Sequence, residues 1–197
     1  MNDFSLWFTM GIQHICDLQG YDHILFIASL CILFDLHEWK KLLALITAFT
    51  IGHCITLALS VFNLLVIPAS IIEILIPITI IITCITNILH RENPLTNIRH
   101  YYFSVLLFGF IHGMGFSYLL KSLLGSEENI LSPLFLFNLG LETGQVIIVV
   151  FVLLISLILQ TLTRLKKQTI IILVSGTTLC TALWMATDRT LILMNKH

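Results

Sequence analysis

The chain has 197 residues, 57% of them hydrophobic and only 11% charged. Soluble domains run at about 25% charged, so this composition excludes a soluble globular protein and predicts an all-α, polytopic membrane helical bundle, with residues 1–197 as a single integral membrane domain. A formal net charge of −1 gives a polyanion nothing to bind, so membrane lipid is an expected partner and nucleic acid is not.

The opening stretch MNDFSLWFTMGIQHICD has no basic n-region and no small-residue cleavage site, so no signal peptide is expected. Phe4–Cys16 is apolar and aromatic, yet shorter than the roughly 20 residues a span needs. It reads as an interfacial or re-entrant helix capping one end of the bundle. His14 and Asp17 are three apart and share a helical face. They form a ligand pair or a histidine with its orienting carboxylate, unless Asp17 simply ends the helix and both are wet. Span one is Tyr21–Leu36. It opens on Asp22 and His23, whose side chains diverge by about 100° on a helix, so they can aim at one point only if the helix begins there. Asp22 also suits an N-cap.

Span two, Leu42–Phe62, follows Trp39-Lys40-Lys41 and carries His53 beside Gly52 and several threonines, residues that let another helix approach. Span three, Ala69–Leu89, opens after Pro68 and holds Pro77. Its Glu73 is a candidate site acid, or else the closing residue of a capping box begun by Ser70. Span four, Tyr101–Leu124, places His112 among Gly109, Gly113 and Gly115. Packing explains the glycines but not the histidine. Span five, Pro133–Leu162, carries Asn138, Glu142 and Gln145 at i, i+4 and i+7, one polar stripe that must face protein or water. Glu142 is the candidate ligand there, and its two neighbours are supporting groups. Span six is Thr169–Ala186. Phe49-x-x-x-His53 and Phe108-x-x-x-His112 share a spacing on two spans of the same direction, a short echo of the kind a parallel repeat leaves. The five cysteines lack metal or redox spacing and read as small buried hydrophobes.

Lys40, Lys41, Arg91, Arg99, Arg164, Lys166 and Lys167 lie in the loops after spans one, three and five. Of the ten basic residues, the other side holds Lys121, Arg189 and Lys196. By the positive-inside rule this predicts a multi-pass protein of the cell (inner) membrane with both termini extracytoplasmic. In that frame His14, Asp22, His23, His53, Glu73, His112 and Glu142 fall between the midplane and the outer surface. An ionisable group at such depth costs at least about 2.5–3.5 kcal/mol, so something must compensate it.

Imidazoles with carboxylates make an N/O ligand set that suits Ni, Co, Zn, Fe or Mn and not soft Cu(I). A divalent transition metal is therefore the expected ligand and partner, with ligand type alone leaving Ni, Co and Zn, as well as Fe and Mn, open, and a homo-oligomer also open. Three functions fit. A permease would capture the ion in the outer half, although only Thr79, Thr83, Thr86 and Asn87 offer polarity along its inner half. An intramembrane metal-dependent hydrolase would activate water against a lipid or lipid-linked substrate, though no HExxH or GxSxG motif is present, so enzyme activity stays undecided. In a structural protein the polar groups would only fix helix packing.

Five stretches, GIQHICDLQGYDHILF (11–26), TAFTIGHCITLALS (47–60), IEILIPITI (72–80), FGFIHGMGFS (108–117) and FNLGLETGQ (137–145), occur in the order found in the HupE/UreJ family of predicted nickel and cobalt permeases. The chain resembles that family from about Gly11 to Val150. The resemblance implies nickel or cobalt transport and places the family's motif histidines and acids on His14, Asp22, His23, His53, Glu73, His112 and Glu142. Cys54 stands where the family more often has serine, and the stretch between His14 and Asp22 is longer than in many members.

Overall fold

The computed structural model describes residues 3–18, 20–92, 98–124 and 130–195. Among them the chain is all-α. Its helices are α1 (Asp3–Cys16), α2 (Asp22–Cys31), α3 (Trp39–Val61), α4 (Ala69–Leu89), α5 (Ile98–Leu124), α6 (Leu131–Thr163) and α7 (Lys167–Met194), with a 3₁₀ turn at Leu36–Glu38 leading into α3. Four stretches are long and apolar enough to cross a membrane: Leu36–Val61, Ala69–Leu89, Leu131–Thr163 and Lys167–Met194. Asp22–Cys31 and Tyr101–Ser117 are shorter apolar helices. Expected spans two, three, five and six thus meet that measure and expected spans one and four do not.

The reason for the first shortfall is a break. A helix of 10 residues, α2, is about 15 Å long, half a hydrocarbon core. It does not continue to Leu36: the chain turns at Ile32–Leu33 and enters the 3₁₀ turn through extended backbone at Asp35. Nor does α1 cap an end of the bundle. It lies lengthwise against the first half of α6, where a Cβ on Gly140 would strike the Phe8 carbonyl and one on Gly144 would meet Ile12 and Ile15. Both partners ascend together, so α1 and α6 are parallel. Farther along α6, a groove is walled by Ile24, Ala28 and Ile32 on one side and by Ile148, Phe151 and Ile155 on the other. Helices α1 and α2 are therefore two halves of one discontinuous element laid along α6.

A second parallel pair is α3 with α5. Added Cβ atoms on Gly109 and Gly113 would strike the carbonyls of Phe49 and His53, and one on Gly52 would strike that of Leu106. With no side chain at these positions, the two backbones touch. Helix α4 runs antiparallel to α7: Asn87 meets Ser175 near one end and Glu73 pairs with Arg189 near the other. Large apolar side chains stay exposed along the outside, including Ile78, Ile82 and Ile85 on α4 and Ile147, Val150 and Leu154 on α6.

Polar groups at one end tie the loops together. Lys167 bonds Asp35 at 2.7 Å and Lys41 bonds Glu38 at 2.8 Å. Lys121 and Asn63 pair toward the other end. Lys196 lies outside the described residues. No disulfide forms among the described residues. Cys31 and Cys84 are buried, as small apolar residues should be, whereas Cys180 is exposed.

Candidate metal centre

Four histidines and one aspartate converge where α1 stops and α2 starts. His14 sits in the last turn of α1. Asp22 and His23 are the first two residues of α2, the one placement in which adjacent side chains can serve a common point. His53 and His112 lie a little beyond the middle of α3 and α5, carried together by the glycine contact of those helices. The ring centroids of His14 and His23 are 4.9 Å apart, and those of His23 and His112 4.7 Å. His53 stands 6.0 Å from His14 and 6.5 Å from His23.

The Asp22 carboxylate Oδ1 accepts the His23 backbone N–H at 2.8 Å and lies 3.0 Å from His23 Nδ1. It thereby orients that imidazole and places negative charge at the amino end of a helix, where the dipole favours it. His53 is 0% exposed and His112 1%. Both ring nitrogens of each, with Nε2 of His14 and of His23, find no hydrogen-bond partner among the described residues, although the Asn138 amide stands beside His53. Each buried polar atom left unpaired costs about 1–3 kcal/mol. Asn87 Oδ1, Asn138 Oδ1 and the Tyr101 hydroxyl are unpaired as well, but among the described residues no other residue type leaves so many buried atoms unpaired in one place, and elsewhere buried polar groups do pair. Thr50 donates to Gln145 Oε1 at 2.8 Å, and Asn87 Nδ2 donates to the Ser29 carbonyl at 2.7 Å.

The geometry fits a metal. Ligand atoms of His14, His23 and His53 lie within 4.8 Å of one another, as do those of Asp22, His23 and His112. Imidazole and carboxylate donors at such spacing need only small side-chain rotations to bind a first-row divalent ion.

Two expected acids stand elsewhere. Glu73, with half its side chain exposed, pairs with Arg189 at 3.1 Å. It closes no capping box, since α4 is capped by Pro68 without a side-chain bond. Glu142 accepts from Thr47 at 2.7 Å across the α3–α6 interface. Neither belongs to a ligand group. The stripe Asn138–Glu142–Gln145 does face protein, meeting His53, Thr47 and Thr50 of α3.

Aromatic residues enclose the cluster on both sides. Phe116 packs on His14 at 4.0 Å and stacks on Phe137 at 4.9 Å. Beside them an open cavity of about 640 Å³ is lined by Met10, Ile12, Gln13, His14, Cys16, Asp17, Leu18 and Phe116. On the other side, Phe26 packs on both Phe49 and Phe108, and Phe26 and Phe49 press on His112 at 6.0 and 5.5 Å. Phe26 and Phe108 also wall a small cavity of about 70 Å³ reaching Thr83, Thr86, Tyr101 and Ser104. These phenylalanines were missed as site residues. The signal lay in their spacing: Phe26, Phe49, Phe108 and Phe116 each fall three or four residues from a site histidine, on the same helical face.

The family described as HupE / UreJ protein matches the chain over residues 1–189. The chain belongs to the HupE/UreJ family. It is accordingly a multi-pass membrane protein of a family associated generally with nickel and cobalt transport, and its buried histidine cluster is a site where such an ion could bind. No curated protein and no solved structure matches this HupE/UreJ member.

Proposed function

We propose that the chain is a six-span permease for a divalent transition-metal ion such as Ni2+ or Co2+, taking the discontinuous α1–α2 as the first crossing and α5 as the fourth. Basic loops on one side orient it with both termini extracytoplasmic, so the ion enters from outside. The cavity beside Gln13, His14 and Asp17 is the vestibule. His14, His23, His53, His112 and Asp22 form the capture site, and the Phe26–Phe49–Phe108 plug separates it from the inner cavity at Thr83 and Thr86. Glu142 and Glu73 act at a distance, through Thr47 and through surface charge. The observation that carries the reading is the set of buried, unpartnered imidazole nitrogens.

Purified protein reconstituted in liposomes should accumulate Ni2+, and a His112→Ala variant should lose both bound metal and uptake. Tags at the two termini should be accessible from outside cells. Absence of bound metal under every loading condition sinks the reading.

One observation favours an intramembrane metal-dependent hydrolase instead. The vestibule and the apolar groove between α2 and α6 share Cys16 and Leu18, so a lipid chain in the groove would bring its polar end toward His14. Fixed stoichiometric zinc, lipid hydrolysis and no ion flux would decide for that alternative.

A further inference from the structure

Within a common 4.8 Å the five cluster residues do not all group together. They make two triads, His14–His23–His53 and Asp22–His23–His112, and His23 belongs to both. We propose that one ion occupies either of two adjoining positions, with His23 as the ligand common to both and the ion passing between them without leaving the protein. This rests on the permease reading above.

The positions are ordered along the route. Of the five residues, only His14 lines the vestibule, so the His14–His23–His53 position is the first an entering ion meets. His112 packs on Phe26 of the plug, a contact that none of the first position's imidazoles makes, so the second position is the one whose imidazole reaches the plug, while its Asp22 keeps some exposure. The near-equal ring separations, 4.9 Å to His14 and 4.7 Å to His23's other neighbour His112, keep His23 in reach of both. A tetrahedral ion with bonds of about 2.0–2.1 Å to nitrogen takes three such ligands and one water. Two ions sharing one imidazole would repel strongly at that separation, so occupancy alternates. In the transfer the bonds to His14 and His53 break while those to Asp22 and His112 form, and the bond to His23 is kept. There is no change in oxidation state. Asp22 gives the second position a negative charge that the first lacks, which favours transfer to it.

Co2+ titration of the purified protein in detergent tests this, with visible absorption for stoichiometry and X-ray absorption for ligand type. Wild type should bind one equivalent. His14→Ala and His112→Ala should each keep one equivalent at roughly tenfold weaker affinity, whereas His23→Ala should bind none. Near-isosteric Asp22→Asn guards against misfolding in the alanine variants. It should keep one equivalent and change its ligands to imidazole alone, as the ion moves to the His14 position. Equal loss in His14→Ala, His112→Ala and His23→Ala would mean a single indivisible site. Two equivalents on wild type, or an unchanged ligand set in Asp22→Asn, would also overturn the proposal. No binding by wild type would instead remove the metal reading itself, and this inference with it.

Discussion

Glu73 and Asp22 are both acids on the side of the bundle expected to face outward, and their surroundings give them different work. Asp22 orients a buried imidazole and sits at a helix start. Glu73 reaches into an exposed pair with Arg189. Exposed pairs are worth about 0–1 kcal/mol, so Glu73→Gln should lower thermal stability by no more than about 1 kcal/mol and leave metal stoichiometry unchanged. Loss of metal in that variant would return Glu73 to the site. The gathering of the histidines was legible from the sequence because imidazole at membrane depth has few reasons to exist other than a ligand or a partner. The acids were less so. An isolated Glu in an apolar helix reads the same whether it turns toward a cluster, toward Thr47 or toward a neighbouring arginine, because only helix rotation and tertiary packing separate these cases.

Among the elements, the glycine contact of α3 with α5 sets the distance between His53 and His112 through backbone. Gly113→Leu would drive a side chain into the His53 carbonyl and Thr56. Overpacking of this kind costs about 1–3 kcal/mol. A fall in melting temperature accompanied by weaker metal binding is expected, and full binding would show that the cluster does not depend on this contact. Expected spans two, three, five and six were readable because an apolar run of sufficient length admits few alternatives in lipid. The break in the first element was not. Apolar periodicity is the same for a continuous helix and for two halves set end to end, so Tyr21–Leu36 reads as one span and Phe4–Cys16 as a separate cap. The polar run from Asp17 to Asp22 was the mark of the discontinuity. From sequence it reads equally as the edge of the membrane, because depth cannot be read before the partner helix is known, and the partner of α1 is α6, far along the chain.

For the whole molecule, the cluster lies between two compartments of unlike size, the open vestibule and the small cavity behind the phenylalanine plug. Phe26, Phe49 and Phe108 are 1%, 1% and 5% exposed, so on the permease reading an ion passes them only if they move. Phe26→Ala should join the cluster to the inner cavity. Ni2+ efflux from loaded liposomes should rise, while stability falls by about 3–5 kcal/mol as for other large core truncations. Unaltered efflux would assign the barrier to other residues.

The discontinuous element has a consequence for biogenesis. Helix α1 has 14 residues, too few to hold itself across a bilayer, and the surface it needs is supplied by α6, which enters the membrane only after four intervening helices. During synthesis the amino-terminal half-helix therefore has no packing partner until α6 is made. It seats when Gly140 and Gly144 arrive to receive Phe8 and Ile12. The His14–His23–His53 group is therefore completed only once α6 is in place. A protein cut before α6 leaves His14 without the packing that seats it, and so should hold at most the Asp22–His23–His112 group.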